Sequence, residues 1–180
     1  AKSKKLNCGL SNIAGMSRIL GEALLDAAGI KEFNWVFYPG ANDAMVQLAG
    51  KHLDFVITTN SSATGLVRAG KIRPVMVFSN DVDDVFPEAP LAKALGYQVP
   101  PLSTIRLILA PPKTPLGKIK ILEQALLKAA KDPLYQKMIK ERGMTTYIQN
   151  SDEIRKEIEE SYPVIDKYLA KIGFAMTYKE

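Results

Sequence analysis

The chain has 180 residues, 47% of them hydrophobic and 24% charged, with a formal net charge of +5. That balance fits one globular domain, or two small lobes, with a sizeable core, and it excludes disorder, a collagen-like chain and a disulfide scaffold. The longest apolar runs, such as Leu107-Ile108-Leu109-Ala110, fall far short of the roughly 18 residues a bilayer span needs, so no direct membrane insertion is expected.

In chain order, Cys8 to Ser17 reads as a loop leading into a helix from Met16 to Ala28, with Ile19, Leu20, Ala23, Leu24 and Ala27 on one face and Gly29 as its left-handed cap. Phe33 to Tyr38 follows as a strand. Asn42 then caps a helix from Asp43 to Ala49, which ends at Gly50. Leu53 to Thr58 is the next strand, and Asn60 and Ser61 open a helix running to Ala69 before Gly70. Ile72 to Ser79 and Thr104 to Ala110 read as strands buried on both faces, with Met144 to Ile148 as a weaker candidate. The proline-rich stretch from Asn80 to Ser103 connects two halves. Beyond it, Thr114-Pro115 and Asp132-Pro133 start two helices, the second closed by Gly143, and Ser151-Asp152-Glu153 starts a long one that Pro163 should kink. Alternating strands and helices, followed by a helix-rich tail, predict an α/β fold with a mainly parallel sheet flanked by helices.

Most catalytic chemistry finds no footing in this pattern. Five residues separate Gly9 from Gly15, and Met16 stands where a phosphate loop needs lysine; no GxGxxG occurs. Ser11 lacks the Gly-x-Ser-x-Gly frame of a nucleophile elbow. His52, the single histidine, sits in a helix-to-strand turn, and Cys8, the single cysteine, leaves no disulfide and no multi-cysteine metal site. Asp54 is expected to bond backbone amides, and Asp81, Asp83 and Asp84 to form a solvated loop face. The basic residues are interleaved with acidic ones and carry no aromatic stripe, so no nucleic acid partner is expected. No cofactor and no metal are expected either.

Binding is better supported. Three loops, Cys8 to Ser17, Tyr38 to Asn42 and Thr58 to Ser62, deliver helix N-termini to the C-terminal edge of a parallel sheet, where open α/β folds hold ligands. Exposed amides and the positive dipole end of each helix suit an anion. At any one of these loops, Asn42, Asn60 or Ser61 is equally readable as a plain helix cap.

Five segments carry a resemblance: Val36-Phe37-Tyr38-Pro39-Gly40-Ala41, Gly50-Lys51-His52-Leu53-Asp54, Ala69-Gly70-Lys71-Ile72-Arg73, Phe86-Pro87-Glu88-Ala89-Pro90 and Ala110-Pro111-Pro112-Lys113-Thr114-Pro115. In that order, they resemble the extracytoplasmic substrate-binding receptors of tripartite tricarboxylate transporters, the Bug family. The resemblance implies a type II periplasmic-binding-protein fold with two lobes. Residues 1–100 would be the second, ligand-contacting lobe, and 101–180 a helix-rich return to the first. The family's opening loop and helix have no counterpart in these residues, so the first lobe is expected to be incomplete. No signal peptide follows Ala1-Lys2-Ser3-Lys4-Lys5, and a periplasmic or extracytoplasmic location is implied by the resemblance alone. Met16-Ser17-Arg18 stands where the family often has a small residue and a histidine; Arg18 is expected to be a solvated helix residue, with a direct ion pair to a substrate carboxylate as the alternative.

The resulting expectation is a non-enzymatic solute receptor for a mono-, di- or tricarboxylate, working with the membrane permease subunits of the transporter. Its ligand-binding residues would be Ser11, Asn12, Gly15 and Ser17 from the first loop, Tyr38, Gly40, Ala41 and Asn42 from the second, and Thr59, Asn60 and Ser61 from the third. Two other readings stay open: an α/β enzyme using Ser11 or His52 on an anionic substrate, and a ligand-sensing interaction domain.

Overall fold

A computed structural model describes residues 5–80, 83–145 and 147–174. The elements are β1 (Asn7–Leu10), α1 (Met16–Ala28), β2 (Asn34–Phe37), α2 (Ala41–Ala49), β3 (Phe55–Val56) and α3 (Asn60–Arg68), then a short 3-10 turn at Ala92–Leu95, α4 (Leu116–Ala130), α5 (Pro133–Glu141) and α6 (Ser151–Lys171). The three strands form one parallel sheet in the order β2-β1-β3.

The central strand is the one that sequence reading assigns to a loop. β1 is only four residues long and contains Gly9, which weakens any strand signal. The glycine is there for packing: a Cβ at Gly9 would lie 2.5 Å from Leu53 Cδ1. Cys8 stands opposite Trp35 on one side and Phe55 on the other, and Cys8 and Leu10 are fully buried. Asp54 Oδ2 accepts from the Asn7 amide at 2.7 Å, the backbone role expected of it.

Crossing from β1 to β2, and then back past β1 to β3, places the two connecting helices on opposite faces of the sheet. Accordingly, α1 packs with α6, while α2 packs with α3, β1 and β3. The main core lies on the α1–α6 side. It joins Ile19, Leu20, Ala23 and Leu25 of α1 to Phe33, Ile57 and Leu102, and to Tyr168 and Leu169 of α6. Phe33 meets Trp35 and Phe55 edge-on, at centroid distances of 5.3 and 4.8 Å. An ion network then clamps α6 onto α1. Buried Glu22 holds Arg18 at 2.9 Å and Lys171 at 3.2 Å, and Lys171 also reaches Asp26 at 2.5 Å.

Helix boundaries follow capping chemistry, with small shifts from expectation. Gly40, rather than Asn42, is the N-cap of α2, and Thr59 precedes Asn60 at α3. Pro115 caps α4, because the Thr114 hydroxyl donates back to the Pro111 carbonyl. Asp132 caps α5 as expected, accepting from the Leu134 and Tyr135 amides. Asn150 caps α6 in a full capping box with Glu153. α6 runs unbroken through Pro163. At its start, the Ser151 amide and hydroxyl both donate to Glu123 of α4, and these bonds hold the Glu123 carboxyl below its ordinary range.

Three expected strands are not seen among the described residues. In 72–79 only Val77 pairs, in a single bridge to Leu91, because Pro74 interrupts the segment. Residues 104–110 make no backbone hydrogen bond among the described residues, since no neighbouring strand reaches them. In the expected strand Met144 to Ile148 none of the described residues is in a strand, and Thr146 lies outside them. α4 and α5 contain no buried residue. The helix-rich half meets the sheet half at a tight turn, where Gly143 abuts Thr64 and Arg68 donates to the Glu141 carbonyl.

Candidate functional site

In a sheet ordered 2-1-3, the connections leave the middle strand toward opposite faces. The carboxyl ends of β1 and β3 are therefore the topological switch point at which such folds hold ligands. The loops bordering it are Ser11–Gly15, after β1, and 57–59, after β3. The turn at 38–40, after β2, flanks it from the outer edge. The first and third predicted groups therefore border the switch point, and the second stands one strand away.

The three helices that begin here share a feature. Their N-caps, Gly15, Gly40 and Thr59, are all extended (ψ 172°, 161° and 155°), and none makes a side-chain capping bond. By contrast, Asp132 and Asn150 cap α5 and α6. A helix start leaves its first N–H groups without intrahelical partners, so α1, α2 and α3 offer amides to whatever lies in front of them. No acidic residue occupies the first turn of α1 or α3, whereas α2 has Asp43.

Residue by residue, the predicted groups divide into presenting and shaping roles. Ser11 is exposed at the tip of the first loop, and Ser17 is half-buried in the first turn of α1. Asn12 shapes the loop, its Oδ1 accepting from the Ala14 amide at 2.9 Å. Gly15 must be small because a Cβ there would lie 2.9 Å from Asn12 Cβ. The Tyr38 amide is committed to the Leu10 carbonyl at 2.8 Å, which leaves its half-buried ring for the flank. Ala41 and Asn42 are the first two residues of α2. Gly40 lies against Asp43, whose Oδ2 would be 3.1 Å from a Cβ. Thr59 Oγ1 shares hydrogen bonds with Ser61 and Ser62 at 3.1 and 3.2 Å, forming a hydroxyl cluster at the start of α3.

Asn60 is turned to a structural task. Its amide donates to Asp83 Oδ2 at 2.6 Å, while Asp83 Oδ1 accepts from the Val85 and Phe86 amides at 2.8 Å. Asp83 is buried rather than part of a solvated loop face, because its three hydrogen bonds pin the 83–86 turn against α3; Asp81 lies outside the described residues. Sequence reading missed Asp83 and Ser62. The signals were an aspartate two and three residues ahead of the amides it bonds, and the hydroxyl residues Thr58, Thr59, Ser61 and Ser62 around Asn60.

Arg18 also departs from expectation. Its side chain is 15% exposed, bound by Glu22 and stacked 4.2 Å over the Trp35 ring. The helix spacing i, i+4 sets the ion pair, and Gly21 lets the indole approach α1. The guanidinium is thereby committed within the fold. Burial pushes the Cys8 thiol up to about 12, so it stays protonated and unreactive. His52 precedes β3 and Ser11 follows β1, so the two sit at opposite ends of a parallel sheet and are not brought together as nucleophile and base.

With this geometry in hand, likeness to known proteins is informative. Residues 1–174 match the model of the tripartite tricarboxylate transporter family receptor, TctC. A UPF0065 protein of Bordetella pertussis is 23% identical over 169 residues, covering 94% of this chain and 52% of that protein. The chain thus spans about half the length of that curated relative. Among solved structures, a TctC solute binding protein from Polaromonas superposes with a TM-score of 0.79 at 18% identity, covering 95% of this chain and 59% of that one. R. palustris Rpa4515, solved with adipate, gives 0.76 at 20% identity, covering 97% and 58%. The periplasmic binding protein BugD has the same fold, with a TM-score of 0.69 at 20% identity. The α/β architecture is therefore that of periplasmic solute-binding proteins, and the match over residues 1–174 makes this chain a member of the tripartite tricarboxylate transporter receptor family.

Proposed function

We propose that this chain supplies the ligand-contacting part of an extracytoplasmic receptor that captures a small carboxylate for a tripartite tricarboxylate transporter. The observation that carries this reading is the β1–β3 switch point, bordered by helix starts whose amides no side chain caps. A carboxylate would take those amides, with Ser11, Ser17, Thr59, Ser61 and Ser62 adding hydroxyls, and Asn12, Gly15 and Asn60 holding the loops in shape. Tyr38, Gly40, Ala41 and Asn42 would border the ligand's far end. The adipate bound to Rpa4515 supports a carboxylate of this size.

Residues 1–100 would form the second lobe and residues 101–180 the return to the first. A periplasmic location and a permease partner would go with membership of this family. The reading is non-enzymatic: the switch point collects donors, and the paired serine and histidine of the rival reading stand apart. A thermal-shift screen against mono-, di- and tricarboxylates, with amino acids and nucleotides as controls, tests it. A ligand at a hundredfold excess over its dissociation constant stabilises the fold by about 2.7 kcal/mol. A shift confined to carboxylates, and lost in Thr59→Val/Ser61→Ala, supports the reading; shifts from nucleotides alone refute it.

A further inference from the structure

Charge is unevenly distributed along the carboxyl edge of the sheet. The three loops there, 11–17, 38–42 and 57–62, contain no Lys, Arg or His. The next cation along the chain is Arg18, and it is withdrawn. Glu22 binds it at 2.9 Å, and it stacks 4.2 Å over the Trp35 ring. Its charge is cancelled by buried Glu22 inside the fold.

Carboxylates, by contrast, are held beside two of the helix starts. Asp43 stands in the first turn of α2, with its Oδ2 only 3.1 Å from where a Cβ on Gly40 would lie. Asp83 lies against the first residue of α3 and accepts from the Asn60 side chain at 2.6 Å. The Val85 and Phe86 amides donate to it as well, and a group that accepts three N–H bonds is behaving as an ionised carboxylate. One helix start is equivalent to roughly half a positive charge, so α1, α2 and α3 together supply about +1.5. The two aspartates more than offset that. A single ligand carboxylate can still be held at such an edge by the hydrogen bonds of amides and hydroxyls. A second one meets no cation in these loops and is repelled by Asp43 and Asp83.

The apolar residues at the same edge suit a different ligand body. Ile13 in the first loop and Phe37, opposite Leu10 at the end of β2, are 51% and 43% exposed. Pro39 follows in the turn after β2. They offer hydrocarbon cover to whatever extends beyond the carboxylate.

We infer, on the receptor reading above, that the ligand is a monocarboxylate with an apolar body, an aliphatic or aromatic acid. Asp43 and Asp83 are then specificity-determining residues that act by repulsion, rejecting ligands with a second carboxylate.

Isothermal titration of this chain at pH 7 with hexanoate, adipate and acetate tests it. Hexanoate and adipate share six carbons and differ by one carboxylate, whereas acetate keeps the charge and loses the hydrocarbon. Hexanoate should bind about tenfold more tightly than adipate, the scale of one like-charge repulsion near a protein surface. It should exceed acetate by about tenfold or more, since its additional methylenes find apolar cover. Asp43→Asn should raise adipate affinity and narrow the hexanoate–adipate gap several-fold. Asp166→Asn, the same loss of charge at an exposed position on α6, should leave the gap unchanged, and circular dichroism checks that both variants fold. Adipate bound as tightly as hexanoate overturns the inference and leaves the receptor reading standing. So does acetate matching hexanoate, or a gap that Asp43→Asn does not narrow more than Asp166→Asn. Binding of none of the three acids overturns the inference together with the reading beneath it.

Discussion

Gly143→Ala is a sensitive probe of how the two halves are joined. Gly143 lies at φ +67°, in the left-handed region, and an added Cβ would stand 2.0 Å from Thr64 Oγ1 and 2.8 Å from Thr64 Cβ. The backbone term alone costs about 1–2 kcal/mol for an L-residue. Thr64 is buried, and its hydroxyl donates to the Asn60 carbonyl at 2.8 Å, so it yields only by giving up that bond or by moving the turn. Losing the bond adds about 1 kcal/mol and overpacking a further 1–3 kcal/mol. The sum, about 3–6 kcal/mol, is a large share of the roughly 5–15 kcal/mol that holds a typical domain together.

Gly29→Ala is the matched control, because Gly29 has φ +64° and nothing within 4 Å of its Cβ position. It should cost only the backbone term. Urea unfolding followed by circular dichroism measures both, with the midpoint falling and the slope unchanged. Thr64→Ala should recover part of the Gly143→Ala loss in the double variant, because the two sites touch. Equal costs for Gly143→Ala and Gly29→Ala, with no coupling to Thr64, would show that the 141–143 turn does not seat against α3 in solution.

Four further outcomes follow from the polar contacts and burial of the sheet half. Glu22→Ala removes a buried carboxylate that Arg18 and Lys171 share, and should cost about 3 kcal/mol in the same urea assay. Burial alone would lower the Lys171 pKa, but its hydrogen bonds to Asp26 and Glu22 outweigh that and raise it above its ordinary 10.5. The network's stabilisation is accordingly full below pH 10.5 and declines as pH rises through the raised value; Lys171→Met should flatten that alkaline loss. Asp83→Ala strips the Val85 and Phe86 amides and Asn60 of their acceptor, for a cost of about 1–3 kcal/mol, and should also weaken carboxylate binding by loosening the start of α3. Cys8, with its thiol raised to about 12 by burial, should resist a disulfide reagent at neutral pH until denaturant exposes it; rapid labelling of the folded chain would refute the assignment of Cys8 to the core.

Local chemistry made much of the chain legible from sequence. α1 was readable to the residue, since its apolar period and left-handed Gly29 are written into adjacent positions. The same holds for the Asp132-Pro133 start and the loops that converge on one sheet edge, because capping and strand–helix alternation are short-range effects. What remained hidden depended on partners distant in the chain. β1 is a strand because β2 and β3 flank it, while 104–110, the better strand by composition, finds no partner strand among the described residues. Asp83 is buried because Asn60, 23 residues earlier, meets it, and Arg18 is withdrawn because Glu22 and Trp35 hold it. Sequence by itself determined the helices, the turns and the direction in which the loops point. Tertiary structure decided which strand lies in the middle, and hence that the switch point lies between β1 and β3, because hydrogen-bond pairing and burial are properties of neighbours in space.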